Sequence, residues 1–132
     1  MSEETFLDVP TGDAVEPKAM PGGEYKLRIV NAVIGVDKND HNYFLPSFDI
    51  PSEPYSKSFT RFFGLPHDGM DDKQVNAAKF HLDAFKRCFG IKKQKFSMDE
   101  ILGLEGWAIL GLGKEDEEYG QQNYIKRFIA PK

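Results

Sequence analysis

The spacing of apolar residues changes period twice along this chain, and that limits the folds open to it. From Glu24 to Val36 the period is two: Tyr25, Leu27 and Ile29 fall on one side, Lys26, Arg28 and Val30 on the other. Successive side chains of an extended chain point to opposite sides, so this alternation predicts a strand with one buried face. Between Val75 and Phe89 the period becomes three to four. Val75, Ala78, Leu82, Phe85 and Phe89 form one stripe, the buried face of a helix. Extended character then returns from Gly106 to the end of the chain.

Turn and cap residues set the boundaries. Asp37-Lys38-Asn39-Asp40-His41-Asn42 reads as a polar turn, followed by a second strand from Tyr43 to about Ile50. Pro46 within that strand predicts a sheet edge or a bulge, because proline has no N–H for the ladder. Pro51-Ser52-Glu53-Pro54 is the next turn, and Tyr55 to Phe63 a third strand. Asp71 and Asp72 suit a helix start, where carboxylates accept orphan amide hydrogens, and Gly90 suits its end. Ser97 with Glu100 is a capping-box pair that predicts a helical turn over 98–102. Gly106–Gly113 and Gln121–Ala130 are the last two strands, joined by the charged connection Lys114–Gly120.

The resulting order is β-β-β-α-β-β: a mainly β chain with one helix. That is the order of a five-stranded, OB-fold-like Greek-key barrel. A small α+β sheet with its helix on one face has a similar order. The 132 residues suit one domain. Residues 1–22, with Pro10, Pro17 and Pro21 and no periodicity, read as a mobile acidic N-terminal arm, and residues 23–132 as the barrel domain. Residues 1–20 hold five acids against Lys18 alone, which accounts for the whole net charge of −4; the other 112 residues carry sixteen charges of each sign. A neutral body argues against coating duplex DNA through bulk positive charge but leaves room for a local basic stripe. The single cysteine, Cys88, allows no internal disulfide and fits a reducing compartment. No apolar run approaches the roughly 20 residues of a membrane span, and the acidic N-terminus lacks the order of a secretory signal.

The segments Gly23-Glu24-Tyr25-Lys26-Leu27-Arg28-Ile29, Leu104-Glu105-Gly106-Trp107 and Asn123-Tyr124-Ile125 resemble the compact OB-fold single-stranded DNA-binding proteins encoded by bacteriophages. The resemblance spans about residues 21–130. It implies a non-catalytic DNA-binding protein of replication, recombination or repair in the cytoplasm of a bacterial host. Its partners would be single-stranded DNA and, through the acidic arm, replication or recombination proteins, with room for a homo-oligomer and no membrane contact. One departure is plain: many such proteins end in an acidic tail, whereas this chain ends Arg127-Phe128-Ile129-Ala130-Pro131-Lys132 and is acidic at its other end.

Binding a single strand needs cations for phosphates and aromatic faces for bases. Lys26 and Arg28 project together from the first strand; Tyr55, Lys57, Phe59 and Arg61 alternate on one face of the third; Tyr124 and Lys126 do so on the last. The loop after the first strand holds Lys38, the second strand opens on Tyr43, and the loop between the last two strands holds Tyr119. Trp107 fits a stacking platform or a plug at the barrel mouth, with the plug favoured. The competing reading of each aromatic is the core, which a small barrel must fill. Lys92, Lys93 and Lys95 are a basic cluster that reads first as solvated surface. Glu115-Asp116-Glu117-Glu118 would repel phosphate from the last loop. The acidic arm is a candidate nucleic-acid mimic that occupies the groove until DNA displaces it, or a recruiter of a basic partner.

Enzyme signatures fail on spacing. Gly111-Leu112-Gly113-Lys114 lacks the first glycine and the Ser/Thr of a phosphate-binding loop. His41, His67 and His81 are not spaced as helical metal ligands, and one cysteine builds no zinc knuckle. His67 with Asp68, Asp71 and Asp72 is better read as a polar loop entering a helix than as a hydrolytic site. No cofactor, metal or catalytic residue is expected. The alternative to nucleic-acid binding is a protein-interaction module of the same fold, such as a phage protein acting on host machinery.

Overall fold

The computed structural model describes residues 3–131; Met1 and Ser2 of the predicted arm and Lys132 of the predicted barrel domain lie outside the described residues. Six strands and two helices follow in the order β1 (Gly23–Val36), β2 (Asn42–Asp49), β3 (Phe59–Thr60), β4 (Phe63–Gly64), α1 (Asp72–Phe89), α2 (Met98–Ile101), β5 (Glu105–Leu112) and β6 (Asn123–Phe128). They form one antiparallel sheet ordered β3-β2-β1-β5-β6, with β4 also on β2, curled into a half-barrel. Strand β1 is long enough to serve both halves. Its first part, Gly23–Arg28, pairs with β5, and from Arg28 onward it pairs with β2. A bulge between Ile29 and Asn31 marks the change of partner and turns the strand, as an extra residue does.

The core fills the inside of the curl. Leu27 and Ile29 of β1, Phe44 and Phe48 of β2, Phe59, Phe63, and Ala108 and Leu110 of β5 are buried, together with Phe85, Cys88 and Phe89 of α1. The Phe48 ring neighbours those of Phe59, Phe85, Phe89 and Phe128 at 5.7–6.5 Å. Helix α1 therefore lids the open side with its apolar stripe. Its start is a full capping box: Asp71 Oδ1 accepts from the Gln74 amide at 2.8 Å, and the Gln74 side chain accepts from the Asp71 amide at 3.0 Å. Gly90, at φ 72°, ends it in the left-handed conformation that glycine adopts without Cβ strain. At α2 half of the expected box is present. Ser97 Oγ accepts from the Glu100 amide, while the Glu100 carboxylate turns to Lys93 Nζ at 3.2 Å.

The third strand departs from expectation. The predicted stretch 55–63 is a strand only at Phe59–Thr60, and pairing resumes at Phe63–Gly64. The gap between Thr60 and Phe63 falls opposite Pro46, which sits inside the sheet between β1 and β3/β4 rather than at an edge or a bulge. The Arg61 amide donates to the Pro46 carbonyl at 3.2 Å, but proline has no N–H to return to Arg61, so the ladder lapses there.

The fold also begins earlier than residue 23. Lys18 donates its amide to the Tyr55 carbonyl and accepts from the Lys57 amide, and buried Asn123 clamps Met20 by bonds of 2.8 Å to its N–H and C=O. Among the described residues of the arm, 3–17 are exposed throughout.

Candidate nucleic-acid interface

Because Phe44, Pro46 and Phe48 of β2 point inward, Tyr43, Leu45, Ser47 and Asp49 point out. The register sets Val33 beside Leu45, Gly35 beside Tyr43, and both Asn31 and Thr60 beside Ser47. Phe62 comes level with Leu45; its ring is 51% exposed and lies 5.1 Å from that of Tyr43. Tyr43 itself lies flat across Gly35, where a Cβ would collide with the ring. The outward face of this half thus carries an apolar and aromatic strip: Val33, Leu45, Phe62 and Tyr43.

A second aromatic group faces it across Thr60. Thr60, Lys114, Tyr119, Gln122 and Tyr124 line an open cleft of about 410 Å³. Tyr124 points outward from β6 across Gly111 of β5. Tyr119 is carried on the β5–β6 loop, which Asp116 and Gly120 close by exchanging backbone bonds of 3.0 and 2.8 Å. Asp116 Oδ1 accepts the amides of Glu118 and Tyr119 at 2.8 and 3.0 Å. Those bonds, Tyr119's first, hold the Asp116 carboxyl below the ordinary carboxylate range. One of the four acids is thereby engaged with the loop's own amides, though all four stay exposed and Asp116 lines the cleft.

The cations expected to meet phosphate are mostly engaged within the chain. Lys26 Nζ lies 3.8 Å from Glu105, and Arg28 reaches Asp49 Oδ2 at 2.9 Å, a hydrogen bond that raises the pKa of the guanidinium. Lys57 Nζ donates to the carbonyls of Tyr119 and Gln121, so it pins the β5–β6 loop. Arg61 donates to the Phe62 carbonyl and lies over the Phe63 ring, 4.5 Å from its centre. Its partial burial lowers its pKa. Among the described residues, Lys38 and Lys126 are exposed and form no ion pair.

Several placements correct the sequence reading. Phe59 is 2% exposed and stacks within the core, so it offers no face to a base. The shared face of Tyr55, Lys57, Phe59 and Arg61 does not exist, because residues 55–58 lie outside any strand. Tyr55 is exposed beside the arm. The β5–β6 register slips between Ile109 and Leu110; Lys126, exposed, is the extra residue, and Arg127 joins Tyr124's side of the sheet. Trp107 is not a plug. It is 49% exposed, opposite Lys26, in a separate cleft of about 520 Å³ that it lines with Glu105, Ile129 and Pro131. His67 stacks on His41 with ring centres 3.6 Å apart, and Asp71 is spent as a helix cap.

Of the residues expected at the site, Tyr43, Tyr119 and Tyr124 are disposed around the two groups, with Lys38 in the turn that precedes Tyr43. Phe62, Thr60 and Lys114 were not expected there. Phe62 was missed because the binding side of the third strand was given to Phe59 and Arg61; the register holds Phe59 and Phe63 inward, which leaves Thr60 and Phe62 outward. Among the described residues no group of three or more potential metal ligands occurs, and no helix is long and apolar enough to cross a membrane. The chain matches no family model and no curated protein sequence.

Proposed function

We propose that this chain is a non-catalytic, sequence-tolerant single-stranded DNA-binding protein. It runs the strand over the outward face of β2 and β3 and into the cleft under the β5–β6 loop. The observation that carries the reading is the pair of aromatic groups, Tyr43 with Phe62 and Tyr119 with Tyr124, on one outward face joined through Thr60. Bases stack on such rings whatever their identity, at about 1–3 kcal/mol each. Lys38, Lys114 and Lys126 supply exposed charge for phosphates. The finer fold assignment of this reading, an OB-like barrel, is supported by β1 being shared between two halves and by the helical segment α1–α2 between the third and fourth strand positions. Replication, recombination or repair in the cytoplasm of a phage-infected bacterium is the setting this reading gives it.

A second reading has its own support. Lys26, Arg28, Lys57 and Arg61 all serve acceptors of this chain, and three exposed glutamates sit on the loop beside the cleft. Such a face suits a protein partner better than a polyanion, as in a phage protein acting on host machinery. Fluorescence anisotropy of a labelled poly-dT strand of about 30 nucleotides, at low and moderate salt with duplex as control, separates the two. Tight, salt-sensitive binding to the single strand and weak binding to duplex supports the first reading. No binding at low salt removes it and leaves the second.

A further inference from the structure

We infer that the free edge of β1 is a strand-addition site, and that its occupant is the N-terminal arm of a second copy of this chain. Three separate features meet there. The first is an unpaired ladder. The Asp37 amide donates to the His41 carbonyl at the hairpin end, which sets Gly35–Tyr43 and Val33–Leu45 as the hydrogen-bonded pairs of β1 with β2. Ala32, Ile34 and Val36 therefore aim their N–H and C=O groups away from β2. Strand β5 pairs with β1 only up to Arg28, and among the described residues no backbone group bonds the outer side of Ala32–Val36. An exposed edge of this kind is a template for another strand.

The second feature is a side-chain pocket along that edge. Ile34, Phe44, Leu65, Leu82, Phe96 and Met98 line an open, mainly apolar groove of about 420 Å³ between β1, β2 and α1. Backbone pairing at an edge supplies affinity, and a pocket beside it supplies selectivity. The third feature is a matching segment. Thr5-Phe6-Leu7-Asp8-Val9 lies in no helix and has no strand partner, with Phe6 79% and Leu7 92% exposed, so its own chain does not cover it. Phe6 and Leu7 point to opposite sides of a strand, so either register on the β1 edge seats one of them in the groove. Charge matches too: Glu3, Glu4 and Asp8 flank the apolar residues, while Lys95 lines the groove and Lys92 is exposed nearby.

The test uses the full chain and does not depend on the nucleic-acid reading. At about 100 µM, where even a small interface self-associates, sedimentation equilibrium should give a mass above that of one chain. The double variant Phe6→Ser/Leu7→Ser should return it to the single-chain value, and Lys95→Glu should weaken association several-fold. A monomer at that concentration, or a dimer that persists in the double variant, overturns the proposal. A second measurement identifies the contact: Leu7→Cys chains mixed with Ile34→Cys chains and oxidised should give a disulfide-linked dimer of one chain of each kind. Cross-linking only when both cysteines are in one chain would place the arm on its own groove and overturn the exchange between copies.

Discussion

Tyr124 lays its ring across Gly111 of the neighbouring strand, so closely that a Cβ at position 111 would overlap the ring. Tyr43 does the same over Gly35. A glycine on a sheet leaves a bare patch of backbone, and an aromatic from the paired position covers it while holding its own face at a fixed height above the sheet. Both tyrosines belong to the proposed stacking surface. Gly111→Ala should therefore displace the Tyr124 ring and lower affinity for oligo-dT several-fold. Because the ring is at the far end of a half-exposed side chain, the melting temperature should fall by only a few degrees. Titration by anisotropy with parallel calorimetry checks it; unchanged affinity would show that the Tyr124 face does not meet a base.

Phe59 and Phe62 make a sharper contrast, three residues apart. Phe59 is enclosed by Phe48 in the core, whereas Phe62 stands outward against Tyr43. Phe59→Ala should cost about 3–5 kcal/mol of stability through lost burial and the cavity left behind. Phe62→Ala should leave denaturant stability within about 0.5 kcal/mol, as a surface change does. It should instead remove about 1–3 kcal/mol of binding, the worth of one stacked base. Urea melts and oligonucleotide titrations of both variants decide the assignment. Loss of stability without loss of binding at Phe62 would refute the stacking role.

The helix was legible in the sequence because its signals are local: Asp71 caps one end, Gly90 the other, and one stripe carries the packing. The faces of the first part of β1, from Tyr25 to Val30, were legible for the same reason, being set by their own alternation. The third strand and the last were not, since their faces depend on a neighbour. Pro46 interrupts a strand it does not belong to, and the slip at Lys126 appears only when β6 is laid against β5. Side-chain parity is reset by one unpaired residue, and nothing in the residues beside Lys126 announces it. The stacking surface inherits this. Tyr43, Tyr119 and Tyr124 were reachable by residue type, while Phe62 needed the inward placement of Phe59 and Phe63 on either side of it.

Cys88 is buried under Gly106, with its thiol donating to the Trp107 carbonyl at 3.2 Å. Burial pushes its pKa up to about 11, since the thiolate would lose its hydration there. The thiol should resist a disulfide reagent at neutral pH in the folded protein and react fully once denatured. Its effect on stability has a definite sign. A thiol with a raised folded pKa stabilises fully below its unfolded value of 9.0, and that contribution is lost as pH rises toward about 11. Cys88→Ala should flatten the alkaline limb of the stability curve over that interval. Rapid labelling of the native protein would contradict the burial.

The β5–β6 loop carries Tyr119 and is held at two points, Lys57 from outside and Asp116 from within. The Asp116 carboxyl is kept below its ordinary value of 3.8 by the amides it accepts, so its contribution to loop order is present above that value and lost as pH falls below it. In amide hydrogen exchange, the Glu118 and Tyr119 amides should be protected at neutral pH and lose protection in Asp116→Ala, with the core strands unaffected. Lys57→Met keeps the aliphatic stem and removes the ammonium. It should loosen the same amides and reduce oligonucleotide affinity while leaving the salt dependence of binding unchanged, because Lys57 holds carbonyls rather than phosphate. If the salt slope instead falls by about one unit, the ammonium is meeting phosphate directly, and Lys57 belongs to the binding surface rather than to its frame.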